Sequence, residues 1–325
     1  MSPIEAVTAP QDSLRPAAER RRLVERGSAW LFAALSVFPL VLTIVMVLAL
    51  AVRARPITEG ATIWALLTGK TWLPLEGQFG YFPFIAGTLW VTVLAMLIAV
   101  PPALFTAIYL AEYARTTVRE STKPLVDVLA AIPSVVYGVW GVIAIVPLVA
   151  NRLTPWLRSR LGLVPFFATD NPTGFSVLAG SLVLALMVVP VIIAISYEVM
   201  VTVPHGLREA ALALGTTRWQ AVKHAVLPKA MPGIAAAVVL AFSRAFGETM
   251  AVLMVVGNVP RAPSSILDPA YPLPALIANN YGEMMSIPLY DSALMGAALI
   301  LLVVVLIFNI LSVFALRSAV RRAAA

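Results

Sequence analysis

Apolar residues run through this chain in six long blocks, at roughly 28–52, 84–111, 126–150, 175–198, 230–257 and 291–316. A membrane-spanning helix needs about 20 mostly apolar residues, and each block is long enough. The pattern predicts an all-α integral membrane fold with six transmembrane helices. The first block follows Arg20-Arg21-Arg22 and contains Ala49-Leu50-Ala51, which together resemble a secretory signal. Its charge-free stretch, Gly27 to Val52, is longer than the ~7–15 apolar residues of a signal, so an uncleaved first span over 28–52 is expected. Residues 1–27 and 317–325 read as cytoplasmic tails, the former disordered, and 53–83 as a periplasmic loop.

Prolines punctuate the blocks at Pro101-Pro102, Pro133, Pro147 and Pro190. A proline inside a helix removes one backbone donor and crowds the preceding turn, so kinks are expected there. Pro133-Ser134 and Tyr137-Gly138 are expected to break the third span in mid-membrane. Broken helices line many substrate sites, and a kinked packing helix explains the same residues equally well.

Composition agrees with the pattern. Of 325 residues 60% are hydrophobic and 12% charged, against about 25% charged in soluble domains. Cysteine is absent, which removes disulfides and thiolate metal sites. The net charge of +7 is distributed for a membrane rather than for nucleic acid. With the N-terminus inside, fifteen of the 23 Lys and Arg fall on the inner side and seven on the outer, leaving Arg244 within a span. That bias predicts both termini in the cytoplasm. Trp30, Trp72, Trp90 and Trp156 fall near expected interfaces, as an aromatic belt would place them. The loops at 53–83, 151–174 and 258–290 read either as ordered docking surfaces or as plain connections.

Arg244 and Glu248 are the charges inside the fifth block, within Ser243-Arg-Ala-Phe-Gly-Glu-Thr-Met-Ala-Val252. An ionisable residue at bilayer depth costs ~2.5–3.5 kcal/mol on insertion scales, so a function is the default reading. A spacing of four puts both on one helical face, where they can neutralise each other. Three roles fit: an anion path using the arginine, a structural staple, or a conformational gate. Gly69-Lys70-Thr71 looks like the end of a phosphate-binding loop but lacks the leading glycine. His205 and His224 have no companion ligands in sequence, so no metal or other cofactor is expected in this chain.

Between the fourth and fifth blocks lies Glu209-Ala-Ala-Leu-Ala-Leu-Gly215-Thr-Thr-Arg-Trp219-Gln-Ala-Val-Lys-His-Ala-Val-Leu227-Pro228. Leu207 to Leu214 suits one short amphipathic helix and Thr217 to Val226 another, with a sharp turn at Gly215. Such a corner suits the membrane surface or a groove on a cytoplasmic partner. Glu209-Ala210-Ala211, Gly215 and Leu227-Pro228 resemble the EAA loop of type I (MetI-like) ABC importer permeases. Leu129 to Gly141 and Arg244 to Val252 are similar to the PstC-type subunit of phosphate importers, the second stretch also to the PstA type.

The resemblance implies a permease core over 84–316 with its coupling loop at 204–228, in the bacterial cytoplasmic (inner) membrane and in contact with lipid. It implies a second, PstA-type permease subunit, a PstB-type ATPase dimer that binds the ATP and Mg, and a periplasmic PstS-type phosphate-binding protein. Glu209, Ala210, Ala211, Gly215, Leu227 and Pro228 would couple to the ATPase. Arg244 and Glu248 would match intramembrane charges implicated in phosphate passage. Other readings from the sequence are a permease for sulfate or molybdate, an ion-coupled secondary transporter and a membrane anchor for phosphate sensing.

Overall fold

Helices occupy the apolar blocks, and small residues decide how they pack. A computed structural model describes residues 15–162, 164–284, 287 and 289–324. In chain order these are α1 (Arg15–Gly60), α2 (Ile63–Thr68), a ribbon of β1 (Trp72–Leu73) and β2 (Gln78–Phe79), α3 (Phe82–Tyr113) and α4 (Thr116–Ala131). Then follow α5 (Ser134–Leu161), α6 (Val177–Val201), α7 (His205–Ala213), α8 (Arg218–Phe246), α9 (Met250–Val255), α10 (Leu273–Asn280) and α11 (Tyr290–Ala324). Among them α1, α3, α5, α6, α8 and α11 contain six segments long and apolar enough to cross a membrane.

The described residues up to Val52 and those from Arg53 onward form two units. The first contains the N-terminal part of α1. The expected disordered tail lies outside the described residues up to position 14, and from Arg15 the chain is helical. The expected C-terminal tail is likewise helical as far as Ala324.

In the second unit the central contact is between α3 and α6. Gly87, Val91, Ala95, Ala99, Ala103 and Ala107 recur every four residues along α3, and all are buried. Small side chains on one stripe let two helix backbones approach closely, which is how apolar helices associate where lipid offers no hydrophobic drive. Ala230, Ile234, Ala237, Ala241 and Ala245 form the buried stripe of α8. Ser181 Oγ donates to Val91 O at 3.1 Å, tying α6 to α3 within the apolar core.

The prolines act differently from one another. α3 runs on through Pro101-Pro102, and α6 through Pro190. Pro133 does not break a span in mid-membrane. Ile132 (ψ 130°) and Pro133 (ψ 139°) are extended, and they separate amphipathic α4 from α5. A residue before proline is pushed out of the helical region, so the break falls at Ile132. The third span therefore begins at Ser134, and 126–131 belong to α4. Tyr137-Gly138 lie inside regular helix rather than at a break.

Pro147, Pro155 and Pro228 sit within longer helices, each four residues after the middle of a π turn: Gly141–Ile145, Val149–Leu153 and Val222–Val226. A widened turn takes up the carbonyl that the missing proline N–H leaves free and relieves the ring's clash.

At the end of the bundle bearing the ribbon, Trp72, Phe79, Tyr81, Phe84, Tyr271 and Tyr290 form an aromatic cluster, with Trp72 and Phe84 centroids 4.8 Å apart. Trp72 is thus a packing residue, as is Trp90, whose ring meets that of Phe166 at 5.2 Å and a tilt of 53°. Burial pushes the Tyr81 phenol well above its ordinary range, so it stays protonated and donates to Ala293 O at 2.8 Å. Gly69 belongs to this corner: a Cβ there would lie 2.9 Å from Gly80 Cα, so the glycine serves backbone approach.

Gly138 seats α5 on α9. A Cβ at Gly138 would lie 2.6 Å from Met254 Sδ and 3.2 Å from the Ala251 Cα. The sulfur can swing away and the backbone cannot. Gly138→Val is expected to cost ~1–3 kcal/mol by overpacking and to lower the thermal midpoint of the detergent-solubilised protein by several degrees. Gly206→Ala, where nothing lies within 4 Å, is the control. An unchanged midpoint in Gly138→Val would mean that α5 and α9 do not meet there.

Candidate functional site

α8 ends at Phe246, two residues after Arg244. Gly247 (φ −90°, ψ −1°) leaves the helix, and α9 starts at Met250. Glycine is a poor helix interior residue, and Glu248 offers the backbone another partner: its carboxylate accepts from Ala251 N at 3.3 Å. The fifth span is therefore two helices, not one.

This break separates the expected charge pair. Arg244 and Glu248 form no ion pair in the structure, because they do not share a continuous helix. Arg244 is exposed, and Glu248 is half-buried in a crevice lined by Thr88, Val91, Thr92, Leu184 and Pro272. The i,i+4 staple is corrected accordingly.

The two broken regions nevertheless meet. α5 lies on α9 through Gly138, where a Cβ would meet Met254 and Ala251. Tyr137 Oη donates back to Leu129 O at 2.9 Å, spanning the gap between α5 and α4. Pro133 is exposed and Ser134 half-buried beside it. The region holds an exposed guanidinium, a phenol and a helix break. A guanidinium offers five N–H donors in a planar fork suited to an oxyanion.

The second candidate site lies at the other end of α8. α7 carries Glu209, Ala210 and Ala211; Gly215 follows with φ +80°. Thr217 and Gln220 then make a capping box that starts α8, with Gln220 N donating to Thr217 Oγ1 at 3.3 Å. Only α7 is a separate short helix. The expected second one, Thr217 to Val226, is the opening of α8, which continues through the π turn and Leu227-Pro228. Glu209, Ala210, Gly215 and Pro228 are exposed, as are Leu207, Leu212, Leu214 and Trp219. Leu214 is 85% exposed, an unusual state for a leucine at the tip of an ordered turn.

A family model described as "Binding-protein-dependent transport system inner membrane component" matches residues 103–324, from the middle of α3 through both candidate sites. The chain belongs to this family. It is a multi-pass inner-membrane transport component, as the family's description and its six apolar helices together state.

Among curated relatives, the phosphate transport system permease protein PstC of Xylella fastidiosa is 39% identical over 236 residues, 72% of each chain. PstC of Mesorhizobium japonicum is 37% identical over 245 residues, 74% of each. Two solved structures share the fold. One is the MetNI methionine ABC transporter in inward-facing conformations (TM-score 0.52, 20% identity, 72% of this chain and 93% of that chain). The other is a bacterial ABC transporter that imports alginate (TM-score 0.59, 16% identity, 92% and 99%).

Sequence reasoning missed the groups that hold the second site in place. Glu112, at the end of α3, is 6% exposed and bonds Arg208 of α7 at 2.6 Å. Glu112 sits just past an apolar block and Arg208 just before Glu209. The two are 96 residues apart, and nothing local marks them as partners.

Proposed function

We propose that this permease translocates inorganic phosphate into the cytoplasm as one membrane subunit of an ATP-driven importer. The observation that carries the reading is Arg244: an exposed guanidinium without an ion-pair partner among the described residues, inside an apolar run and at a helix break, in a chain similar to PstC proteins. An unneutralised cation there is costly unless an anion or a facing subunit meets it. A second permease subunit of PstA type faces it across the path, and a PstS-type binding protein delivers phosphate to the outward-open side.

α7 and the Gly215 turn form the coupling element that enters a groove on a PstB-type ATPase dimer. Its exposed Leu207, Leu212, Leu214 and Trp219 supply the apolar contact, and Glu209 the polar one. Both termini and this loop face the cytoplasm. ATP and Mg are held by the ATPase, and this chain hydrolyses nothing. Closure of the ATPase dimer moves the coupling elements and switches the cavity from outward- to inward-open.

The test is uptake by the purified complex in proteoliposomes, with and without ATP inside the dimer's compartment, offered phosphate, sulfate or molybdate. Phosphate uptake that requires ATP is expected, with the other oxyanions at least ~10-fold slower. Preference for sulfate or molybdate would reassign the substrate. Uptake driven by an ion gradient without ATP would overturn the reading as a whole.

A further inference from the structure

Three arginines from three different helices converge on the last turn of α3, Tyr109–Tyr113. Arg208 of α7 grips Glu112 with Nε at 3.1 Å from both carboxylate oxygens and Nη2 at 2.6 Å from one of them. Arg119 of α4 donates from Nε to Leu110 O and from Nη2 to Ala111 O, both at 3.3 Å. The guanidinium of Arg218, at the start of α8, lies 5.0 Å above the Tyr113 ring. The contacts differ in weight. Arg119 and Arg218 reach neutral groups, whereas Glu112 is a buried carboxylate that would be left uncompensated without Arg208.

Arg208 makes a second connection. Its Nη1 donates to Val203 O at 2.6 Å and its Nη2 to Met200 O at 2.8 Å, carbonyls at the end of α6. One side chain therefore ties α7 to the ends of both α3 and α6. Behind it Ala107, Met200, Val203, Val226, Ala230 and Ile234 form a dry cluster that joins α3, α6 and α8. α7 itself buries no residue, so its attachment to the bundle at this point depends on Arg208. Lysine cannot replace it, since a single ammonium lacks the planar fork that meets a carboxylate and two carbonyls at once.

We propose that the Glu112–Arg208 pair is the positioning link that transmits displacement of the coupling helix to α3 and α6, so that its loss uncouples ATP hydrolysis from transport. This rests on the reading of α7 as the ATPase-coupling element. A push on α7 moves the transmembrane helices only if the joint is stiff. The bidentate pair fixes direction as well as distance, and its burial keeps water from competing for either partner. With the pair gone, α7 still sits in the ATPase groove through its outward face. It then tilts against the bundle instead of driving it.

The test uses the whole importer purified through a tag on this chain and reconstituted in proteoliposomes. Phosphate uptake and ATP hydrolysis are read in the same vesicles, and co-purifying ATPase measures assembly. Glu112→Gln keeps shape and loses charge; Arg208→Lys keeps charge and loses the fork. The double variant Glu112→Gln with Arg208→Gln leaves no orphaned charge. Phosphate carried per ATP is expected to fall about tenfold or more in all three, with hydrolysis by the assembled complex within about twofold of the parent.

A merely structural pair predicts something else: uptake and hydrolysis fall together in the single variants and recover together in the double one. That result overturns the proposal, and so does an unchanged ratio in all three. Gly215→Val in parallel separates the two readings. If Gly215→Val loses ATP-driven uptake while the Glu112 and Arg208 variants keep their phosphate-to-ATP ratio, the coupling-loop reading stands and this inference fails. If Gly215→Val transports normally, the coupling-loop reading fails and takes this one with it.

Discussion

Arg244→Gln is expected to abolish phosphate uptake while the complex still assembles and keeps its ATPase. Hydrogen bonds to charged groups are worth ~1.5–3 kcal/mol each, and a guanidinium can offer an oxyanion two. Losing both lowers transport by at least ~100-fold. Arg244 is exposed and makes no ion pair among the described residues, so its removal leaves no orphaned carboxylate there and little reason to misfold. Glu248→Gln does less harm, because an amide oxygen still accepts from Ala251 N as the carboxylate does. The exchange Arg244→Glu with Glu248→Arg is the deciding variant. Position 248 faces the crevice of Thr88, Thr92 and Leu184, which is shaped for a shorter side chain, and it does not reach the exposed face of α8. The exchanged protein therefore assembles poorly and does not transport. Recovery of uptake in the exchange, with both single variants dead, would restore the staple and remove Arg244 from the path.

Gly215→Val is expected to disconnect the ATPase from the bundle. The residue has φ +80°, a region that β-branched side chains avoid at a cost of ~1–3 kcal/mol. A Cβ there meets nothing within 4 Å, so the whole penalty is backbone strain and none of it is crowding. The strain is relieved by unwinding the turn between α7 and α8, which are held on either side by the Thr216 Oγ1 bond to Ala211 O (2.8 Å) and the Thr217 capping box. Insertion and pairing of the transmembrane helices survive, and substrate-stimulated ATP hydrolysis falls sharply. Gly215→Asn, which tolerates the left-handed region, keeps a large share of activity. Equal loss in Asn and Val variants would point to the glycine's size rather than its conformation.

The reach of the sequence differed from one feature to another. The six spans were legible because twenty-odd apolar residues in a row have few other homes. The coupling turn was legible because Gly215 and Thr217 carry local conformational information. The break after Arg244 was present as Gly247-Glu248-Thr249, a poor helix former followed by two side chains that compete for backbone bonds. It was hidden by the apolar run around it, and the i,i+4 rule applied to a helix that stops too soon. Pro133 was placed correctly as a break and wrongly in depth, since α4 lies before it as an amphipathic helix. Long-range polar pairs could not be read at all. Glu112–Arg208, and Thr169 Oγ1 donating to Asp268 Oδ1 at 2.7 Å across 99 residues, are set by the packing of helices and leave no spacing to recognise.

The π turn at Val222–Val226 and Pro228, which follows it, constrain each other. Deleting one residue from the turn restores the regular period but drives the Pro228 ring into the carbonyl four residues back. Replacing Pro228 alone leaves a surplus residue, which no longer has a carbonyl to accommodate and is an unfavourable turn without cause. Either change by itself is expected to lower stability, and the two together to yield an ordinary helix with Ala230, Ile234 and Ala237 still turned inward. The start of the fifth span is thus expected to resist a single change at either feature and to accept the two only as a pair.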